Sequence, residues 1–235
     1  ASTPARPGPT LNAEQRAALA ALLRARARHE TLLLAGVTGS GKTEVYLRAA
    51  AAMLRRGRQV LLLIPEIGLT PQLIRRIEAR LGVAVAVYHS DLSEGERLSC
   101  WRSAASGQAS VIVGTRSAVF LPLSRPGLIV VDEEHDSSFK QQDGPRYNGR
   151  DVAVMRAHLL DIPIVLGSAT PSLESLSNAI SGRYRMLKIN RRAGSALPAR
   201  WLMADLRGQQ DNLDARLIHR IGQHLDNRGQ VLLYR

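Results

Sequence analysis

The chain has 235 residues, of which 45% are hydrophobic, enough for a packed core and too many for a disordered chain. Basic residues outnumber acidic residues by 32 to 20, and the net charge of +12 favours a polyanionic partner without identifying one. No apolar run reaches the ~20 residues of a membrane-spanning helix. Cys100 is the only cysteine, which excludes an internal disulfide and a zinc site built from several thiolates.

The predicted elements alternate between helices and short apolar strands. Residues 1–10 lack an apolar signal segment and predict an interdomain linker. Residues 12–28 predict an amphipathic helix that begins at Asn12, with Gln15 as its capping-box partner. Six runs that are apolar throughout follow, as is typical of parallel strands buried on both faces. These runs are 31–35, 60–64, 83–88, 111–113, 128–132 and 163–167.

The order of these elements predicts a doubly wound α/β fold. Helical segments, such as 42–56 and 70–81, separate most of the strands, and such folds bind ligands at the carboxyl ends of their strands. Past residue 180 the pattern changes: two predicted strands, a helix and a final strand resemble the opening of a second lobe. They occupy residues 185–190, 201–206, 213–227 and 230–234. We therefore expect a first lobe at 11–182, and a connector with the truncated start of a second lobe at 183–235.

A glycine-rich loop joins the first strand to the following helix. Residues 36–43, GVTGSGKT, match the phosphate-loop pattern G-x-x-x-x-G-K-[ST] completely and in the required context. Backbone N–H groups of such a loop cradle phosphate, Lys42 would neutralise phosphate oxygens, and the Thr43 hydroxyl would bind Mg²⁺. The alternative is a glycine-rich turn with a surface lysine. The predicted nucleotide-binding residues of this stretch are Gly36, Thr38, Gly39, Ser40, Gly41, Lys42, Thr43 and Glu44.

An apolar strand ends in acidic residues further along the chain. Asp132 at its tip is placed to hold Mg²⁺, and Glu133 to orient and deprotonate an attacking water. The alternative is that these acids solvate a loop or cap the next helix. Because a phosphate loop lies upstream, we favour a hydrolysis site.

Three motifs together resemble the superfamily 2 helicases of the D-E-x-H type: the phosphate loop, Asp132-Glu-Glu-His135 and Ser168-Ala-Thr170. Further stretches narrow the resemblance to the bacterial primosomal helicases, which restart stalled replication forks. These stretches are 64–70, 88–90, 114–117, 136–142 and 167–172. The resemblance runs from about residue 11 to the C-terminus and implies a RecA-like phosphate-loop NTPase lobe with a mostly parallel sheet, followed by the start of a second RecA-like lobe.

The resemblance implies roles for individual residues. Lys42, Asp132, Glu133 and His135 would be catalytic, and Gln15 would lie near the adenine unless it serves only as a helix cap. His135 would also act with Ser168 and Thr170 to couple the γ-phosphate to movement between lobes. The residues implied in DNA binding are Pro65, Glu66, Thr115 and Arg116 on two loops, and Phe139, Lys140, Arg146 and Tyr147 on an aromatic-basic loop. The alternative for Phe139 is that its ring only anchors that loop to the core.

The implied function is an ATP-dependent, Mg²⁺-dependent 3′–5′ DNA helicase of the bacterial cytoplasm. Its partners would be single-stranded and forked DNA, replication-restart proteins and single-strand-binding proteins. We expect the arginine finger of the second lobe, a zinc-binding insertion and an N-terminal DNA-binding region to lie outside this chain, with zinc bound only there. The chain alone should therefore bind nucleotide weakly and hydrolyse it poorly. Two alternatives are a phosphate-loop kinase of small molecules and a fork-binding module that does not hydrolyse nucleotide.

Overall fold

The computed structural model describes residues 6–25, 28–193, 203, 207 and 213–233. Seven strands form one sheet in which every neighbouring pair is parallel. They are β1 (Thr31–Gly36), β2 (Gln59–Leu63), β3 (Val85–Tyr88), β4 (Val111–Gly114), β5 (Pro126–Val131), β6 (Ile164–Ser168) and β7 (Arg185–Ile189). Their order across the sheet is β3-β4-β2-β5-β6-β1-β7. All six apolar runs are confirmed as strands of a doubly wound sheet.

Seven α-helices lie in the described residues: α1 (Ala13–Ala25), α2 (Lys42–Leu54), α3 (Pro71–Leu81), α4 (Glu94–Ser106), α5 (Gly149–Leu159), α6 (Leu173–Ile180) and α7 (Ala215–Asp226). Local sequence sets their ends. The Thr70 hydroxyl accepts the Leu73 N–H at the start of α3, where Pro71 fits the first turn. Ser93 and Glu96 form a capping box at the start of α4. No helix in this part of the chain combines the length and hydropathy that a membrane span requires.

Two hydrophobic cores cover opposite faces of the sheet. Leu32 and Leu34 of β1 belong to the core shared with α1, α2 and α3, while Leu33 belongs to the core shared with α4 and α5. Successive side chains of a strand point to opposite faces, so continuous apolar runs are required to fill both cores. These cores fix the strand register and hence the positions of the loops at the carboxyl ends of the strands.

Residues 6–10 and β7 are placed differently from our expectation. Residues 1–10 were predicted to be a linker, yet the Arg6 N–H donates to Ala79 O, and the Arg48 guanidinium donates to Pro9 O over 2.6 Å. The described part of this segment is therefore bound to α3 and α2. The predicted lobe boundary at residue 182 precedes β7, which pairs with β1 in the first sheet. The strand thus belongs to that sheet and not to a connector.

The chain divides into two compact units, Ala1–Ser195 and Ala196–Arg235. In the second unit, α7 confirms the helix predicted at 213–227, and the Asp214 carboxylate caps its first turn. The strand predicted at 230–234 is wrong for its described residues, 230–233, which adopt no regular structure. The strand predicted at 201–206 falls almost entirely outside the described residues.

Candidate functional site

A cavity of about 660 Å³ opens at the carboxyl edge of the sheet, within the first unit. β5, β6 and β1 are neighbours in the sheet, which places the phosphate loop after β1 near the acids after β5. Most of the predicted nucleotide-binding residues therefore line one cavity. Its lining consists of Pro9, Thr10, Asn12, Gln15, Thr38, Gly39, Ser40, Gly41, Lys42, Thr43, Glu44, Arg76, Asp132, Glu133, Arg192 and Ala193.

The glycines of the phosphate loop are required by its geometry. Gly39 and Gly41 have φ angles of 75° and 79°, in the left-handed region that other residues rarely adopt. A Cβ atom on Gly36 would lie 2.6 Å from the Ser40 hydroxyl, and one on Gly41 would lie 2.5 Å from the Gln15 amide nitrogen. A loop this tight leads directly into α2, whose N-terminal N–H groups favour an anion.

The Lys42 side chain is buried and folds back over this loop. Its ammonium donates to Gly36 O at 3.0 Å and lies 3.9 Å from the Glu133 carboxylate. An ammonium group offers three donors, so these two contacts leave at least one donor for a phosphate oxygen. Lys42 is therefore held at the loop and beside the acidic strand end before any ligand arrives.

Asp132 and Glu133 make the floor of the cavity strongly acidic. Burial, and next the charge of Glu133, raise the pKa of Asp132 to about 6, although Lys42 and two hydrogen bonds oppose the shift. One of these bonds comes from the Tyr46 hydroxyl at 3.3 Å, and burial raises the pKa of Tyr46 well above its usual range. Glu133 has a φ of 47°, a strained conformation for a residue with a side chain. Such strain is typical of functional sites.

The donor set of the cavity fits a magnesium ion. The Thr43 hydroxyl and the Asp132 carboxylate both line it, and hard oxygen ligands are what Mg²⁺ prefers. Mg²⁺ commonly uses only one or two protein oxygens and completes its shell with phosphates and water. The described residues contain no group of three or more acids, histidines or cysteines that could hold a metal ion by itself. A cation there would also offset the repulsion that raises the pKa of Asp132.

His135 contacts the residues with which it was predicted to act. The Ser168 hydroxyl lies 2.8 Å from His135 Nδ1, and the Thr170 hydroxyl lies 3.3 Å from Nε2. Glu133 lies 3.8 Å from the same Nδ1 atom. A continuous path of contacts therefore joins Lys42 through Glu133 and His135 to the end of β6. The proposed coupling role of this path stays a prediction.

Glu134 holds a buried network that the sequence analysis missed. Its side chain is fully buried, and its carboxylate accepts the Arg150 guanidinium at 3.0 Å. The same carboxylate accepts the Ser172 N–H at 2.8 Å and the Ser175 hydroxyl at 2.9 Å. Glu134 thereby ties the acidic strand end to the starts of α5 and α6. The only sequence signal was a third acid in the motif, and burial cannot be read from it.

Gln15 serves both as a helix cap and as a neighbour of the phosphate loop. Its side-chain oxygen accepts the Asn12 N–H, while its amide donates to Ser40 O at 2.7 Å. Glu44 was also predicted to bind nucleotide. It lines the cavity, but its carboxylate binds Arg48 at 2.8 Å and Arg80 at 2.6 Å. Burial acts to raise the pKa of Glu44, but these hydrogen bonds lower it overall. Its carboxylate therefore joins α2 to α3, and the contact of Glu44 with a nucleotide stays a prediction.

Two of the predicted DNA contacts on the aromatic-basic loop, residues 139–147, are exposed. They are Lys140 and Arg146. Phe139 is only 1% exposed and belongs to the second core, so the expectation that its ring stacks on a base is wrong. Tyr147 is half-buried and packs edge-on against Phe120, with ring centroids 5.1 Å apart. Phe120 is 60% exposed and is an aromatic surface that the sequence analysis missed.

The loops after β2 and β4 are less available to DNA than predicted. The side chains of Pro65 and Thr115 are buried, so neither presents its side chain to a ligand, whereas Glu66 is exposed. Arg116 donates to Ser138 O at 3.0 Å and Lys140 O at 2.8 Å. It therefore fixes the start of the aromatic-basic loop, and a role in binding phosphate would require it to share these donors.

The sequence of this chain matches the DEAD/DEAH box helicase family over residues 12–179. This chain belongs to that family. The match includes β1 to β6, the phosphate loop, the acidic motif and the end of β6. β7 and the segment after it lie outside the matched residues.

Curated relatives confirm the narrower resemblance to the replication restart protein PriA. The chain is 47% identical to PriA of Haemophilus influenzae, over 96% of the chain and 31% of that protein. It is 55% identical to PriA of Synechocystis, over 71% of the chain and 20% of that protein. It is 40% identical to PriA of Bacillus subtilis, over 88% of the chain and 26% of that protein. The chain thus spans less than a third of the length of these relatives.

Solved structures support the same fold at lower identity. The chain is similar to RecG bound to a three-way DNA junction, with a TM-score of 0.59 and 21% identity over 78% of this chain and 24% of that one. It is also similar to the Hef helicase domain of Pyrococcus furiosus, with a TM-score of 0.55 and 20% identity over 79% of this chain and 38% of that one. These likenesses confirm the RecA-like α/β fold.

Proposed function

We propose that the protein is an ATP-dependent 3′–5′ DNA translocase that acts at stalled replication forks, with this chain supplying its ATP-binding lobe. The observation that carries the proposal is the convergence of Lys42, Asp132 and Glu133 on one cavity, in contact with His135 and the end of β6. The PriA relatives support the setting of replication restart in the bacterial cytoplasm. Residues 11–182 would form most of the first motor lobe, and the chain after β7 would lead into the second.

The phosphate loop binds the triphosphate in this proposal. N–H groups of the loop and of the α2 N-terminus donate to phosphate oxygens, and Lys42 exchanges Gly36 O and Glu133 for the β- and γ-phosphates. Gln15 fixes the loop through Ser40 O and has a second amide hydrogen left to donate to the base. Thr43 and Asp132 would hold Mg²⁺, which supplies positive charge for the phosphoryl transfer.

Glu133 acts as the general base. Once Lys42 turns to the phosphates, the Glu133 carboxylate is free to accept the proton of the attacking water. His135 Nδ1 lies 3.8 Å from the Glu133 carboxylate, so a change in the charge of that carboxylate changes its interaction with His135. Because His135 also contacts Ser168 and Thr170, a change at the γ-phosphate alters the end of β6. This is the coupling step that we propose.

DNA would bind along the carboxyl edge of the sheet through contacts that need no base identity. Lys140 and Arg146 are exposed on the aromatic-basic loop, and Glu66 lies on the loop after β2. The exposed ring of Phe120 packs against Tyr147 of that loop. Cations together with an exposed aromatic ring suit single-stranded DNA, since the cations pair with phosphates while the ring stacks on a base. Single-stranded and forked DNA are thus the proposed partners, together with replication-restart and single-strand-binding proteins of the same setting.

Two other functions use part of the same geometry. A small-molecule kinase would use the phosphate loop, but it has no need for the contacts of His135 with Ser168 and Thr170. A fork-binding module without hydrolysis would not need Glu133 in its strained backbone conformation beside Lys42. Both features favour the motor.

ATP turnover by the full-length protein, with and without forked DNA, tests the proposal. We expect Glu133→Gln to keep nucleotide binding and to lower DNA-stimulated turnover by about 100-fold or more, because the base is lost. Glu94→Gln, on the exposed start of α4, is the matched control and should leave turnover unchanged. Full turnover by Glu133→Gln would contradict the assignment of the base. Turnover that ignores DNA, or that transfers phosphate to a small molecule, would contradict the motor.

A further inference from the structure

Two arginines of the cavity have no part in the phosphate-loop motif or in the acidic motif. Arg76 belongs to α3, and Arg192 lies a few residues after β7. Both line the cavity, and both are exposed. Neither forms an ion pair or a side-chain hydrogen bond with any residue that the structure describes. They are therefore cations that face the cavity without a partner among the residues that the structure describes.

The contacts of neighbouring residues explain why Arg76 forms no ion pair with a described residue. Glu44, the acid nearest to α3 in the cavity wall, is already paired with Arg48 and with Arg80, one turn further along α3. Arg80 also donates to Arg6 O, which holds residues 6–10 against α3. Pro9 and Thr10 of that segment line the same cavity as Asn12 and Gln15. Arg76 thus lines the same cavity as Gln15, beside which the proposed function places the base of a bound nucleotide.

Arg192 is presented by a strap, residues 190–193, that is fixed to the phosphate loop. The Glu14 carboxylate accepts the N–H groups of Asn190 at 2.8 Å and Arg191 at 3.1 Å. The Ala193 N–H donates to Gly39 O at 2.8 Å, within the phosphate loop. Because the strap is bound at both ends, Arg192 between them is held beside the loop.

The acidic side chains of the cavity have other partners, so among the described residues Arg76 and Arg192 lack an anion that would pair with them. Asp132 and Glu133 lie beside Lys42 and the proposed magnesium site, and Glu44 is neutralised by its own arginines. A nucleoside triphosphate carries both several negative charges and a flat π-face. Arginine recognises each of these, by paired hydrogen bonds to phosphate and by stacking on an aromatic ring.

We propose that Arg76 and Arg192 are two further nucleotide-binding residues: Arg76 stacks on the base, and Arg192 pairs with the phosphates. The proposal rests on the proposed nucleotide site and specifies how that site recognises its ligand. It makes the segment after β7 part of the nucleotide site of the first unit.

Isothermal titration of the full-length protein with two Mg²⁺-bound ligands separates the two roles. One is the non-hydrolysable ATP analogue adenylyl imidodiphosphate, and the other is inorganic tripolyphosphate, which has no base. We expect Arg76→Ala to raise the Kd of the analogue about fivefold and to leave that of tripolyphosphate unchanged. Arg192→Ala should raise both Kd values by about tenfold. Arg75→Ala, the exposed neighbour on α3 that does not line the cavity, should change neither.

The outcomes distinguish this proposal from the function on which it rests. An Arg76→Ala protein with wild-type affinity for the analogue, or with equal losses for both ligands, overturns the stacking role. Unchanged affinities in Arg192→Ala overturn the phosphate role. Lys42→Ala is a separate control: if that substitution leaves the analogue bound as tightly as in the wild type, the proposed nucleotide site itself is wrong.

Discussion

At the scale of single residues, Asp132 gives the site a dependence on pH. Its carboxyl group has a pKa of about 6 in the folded chain, above its usual value of 3.8, because burial and Glu133 disfavour the charge. The folded chain therefore binds a proton between pH 4 and 6 that the unfolded chain releases. By linkage, this extra proton stabilises the fold at low pH, and the stability is lost as the pH rises to about 6.

Unfolding in metal-free buffer measures this effect. We expect the contribution of Asp132 to the free energy of unfolding to fall by about 2 kcal/mol between pH 4 and pH 6.5. Asp132→Asn should remove that part of the slope, because an amide does not titrate. The Asp143→Asn substitution, on the exposed aromatic-basic loop, is the control and should keep the wild-type slope. Parallel pH curves for the wild type and Asp132→Asn would contradict the raised pKa.

At the scale of elements, the buried pair of Glu134 and Arg150 joins the acidic strand end to α5 and α6. Removing one partner leaves a buried charge uncompensated, which costs more than the pair itself contributes. We expect Arg150→Ala to lower the free energy of unfolding by about 3 kcal/mol, measured with urea. The double substitution Glu134→Gln with Arg150→Met should recover part of this loss. A single Arg150→Ala variant as stable as the wild type would contradict the pairing.

Elements also show what the sequence could predict and what it could not. The central strands were predictable because burial on both faces demands continuous apolar runs, as in β1 and β5. The place of β7 in this sheet could not be predicted. β7 lies at the sheet edge, where Arg185 and Lys188 are exposed, so its sequence pattern resembles that of a surface segment. The phosphate loop and the acidic motif were predictable because their chemistry fixes both residue type and spacing.

The remaining site residues depend on contacts between distant parts of the chain. The sequence of the loop does not show that Phe139 turns inward to the second core while Phe120 stays exposed. Arg76 and Arg192 belong to no motif, and they reach the cavity only because α3 packs against α2 and the strap is hydrogen-bonded to the phosphate loop. For such residues the fold supplies the information that local sequence lacks.

At the scale of the whole molecule, the chain's net charge of +12 predicts that the proposed DNA binding depends on salt. The logarithm of the affinity for single-stranded DNA should fall linearly with the logarithm of salt concentration. We expect Lys140→Ala and Arg146→Ala each to reduce the steepness of that line by about 0.7, the loss of one phosphate contact. Fluorescence anisotropy across a salt series of the full-length protein measures both slopes.

The control for that experiment lies at the opposite edge of the sheet. Arg56 is exposed just beyond the C-terminal end of α2, and α2 begins at the phosphate loop, so Arg56 is remote from the carboxyl ends of the strands. Arg56→Ala should keep the wild-type slope although it removes the same charge. Equal changes in all three variants would show that net charge, and not the aromatic-basic loop, determines DNA binding.

The position of β1 in the sheet determines when this site is assembled during synthesis. β1 lies between β6 and β7, which pair with it on either side although both are made more than a hundred residues later. The phosphate loop is thus translated before β6 and β7, and it lacks these neighbours and the strap until the chain up to residue 193 has left the ribosome. A nascent chain that stops short of β7 would expose the edge of β1 and lack the strap that fixes Gly39. Nucleotide binding would therefore report that the first lobe has been completed.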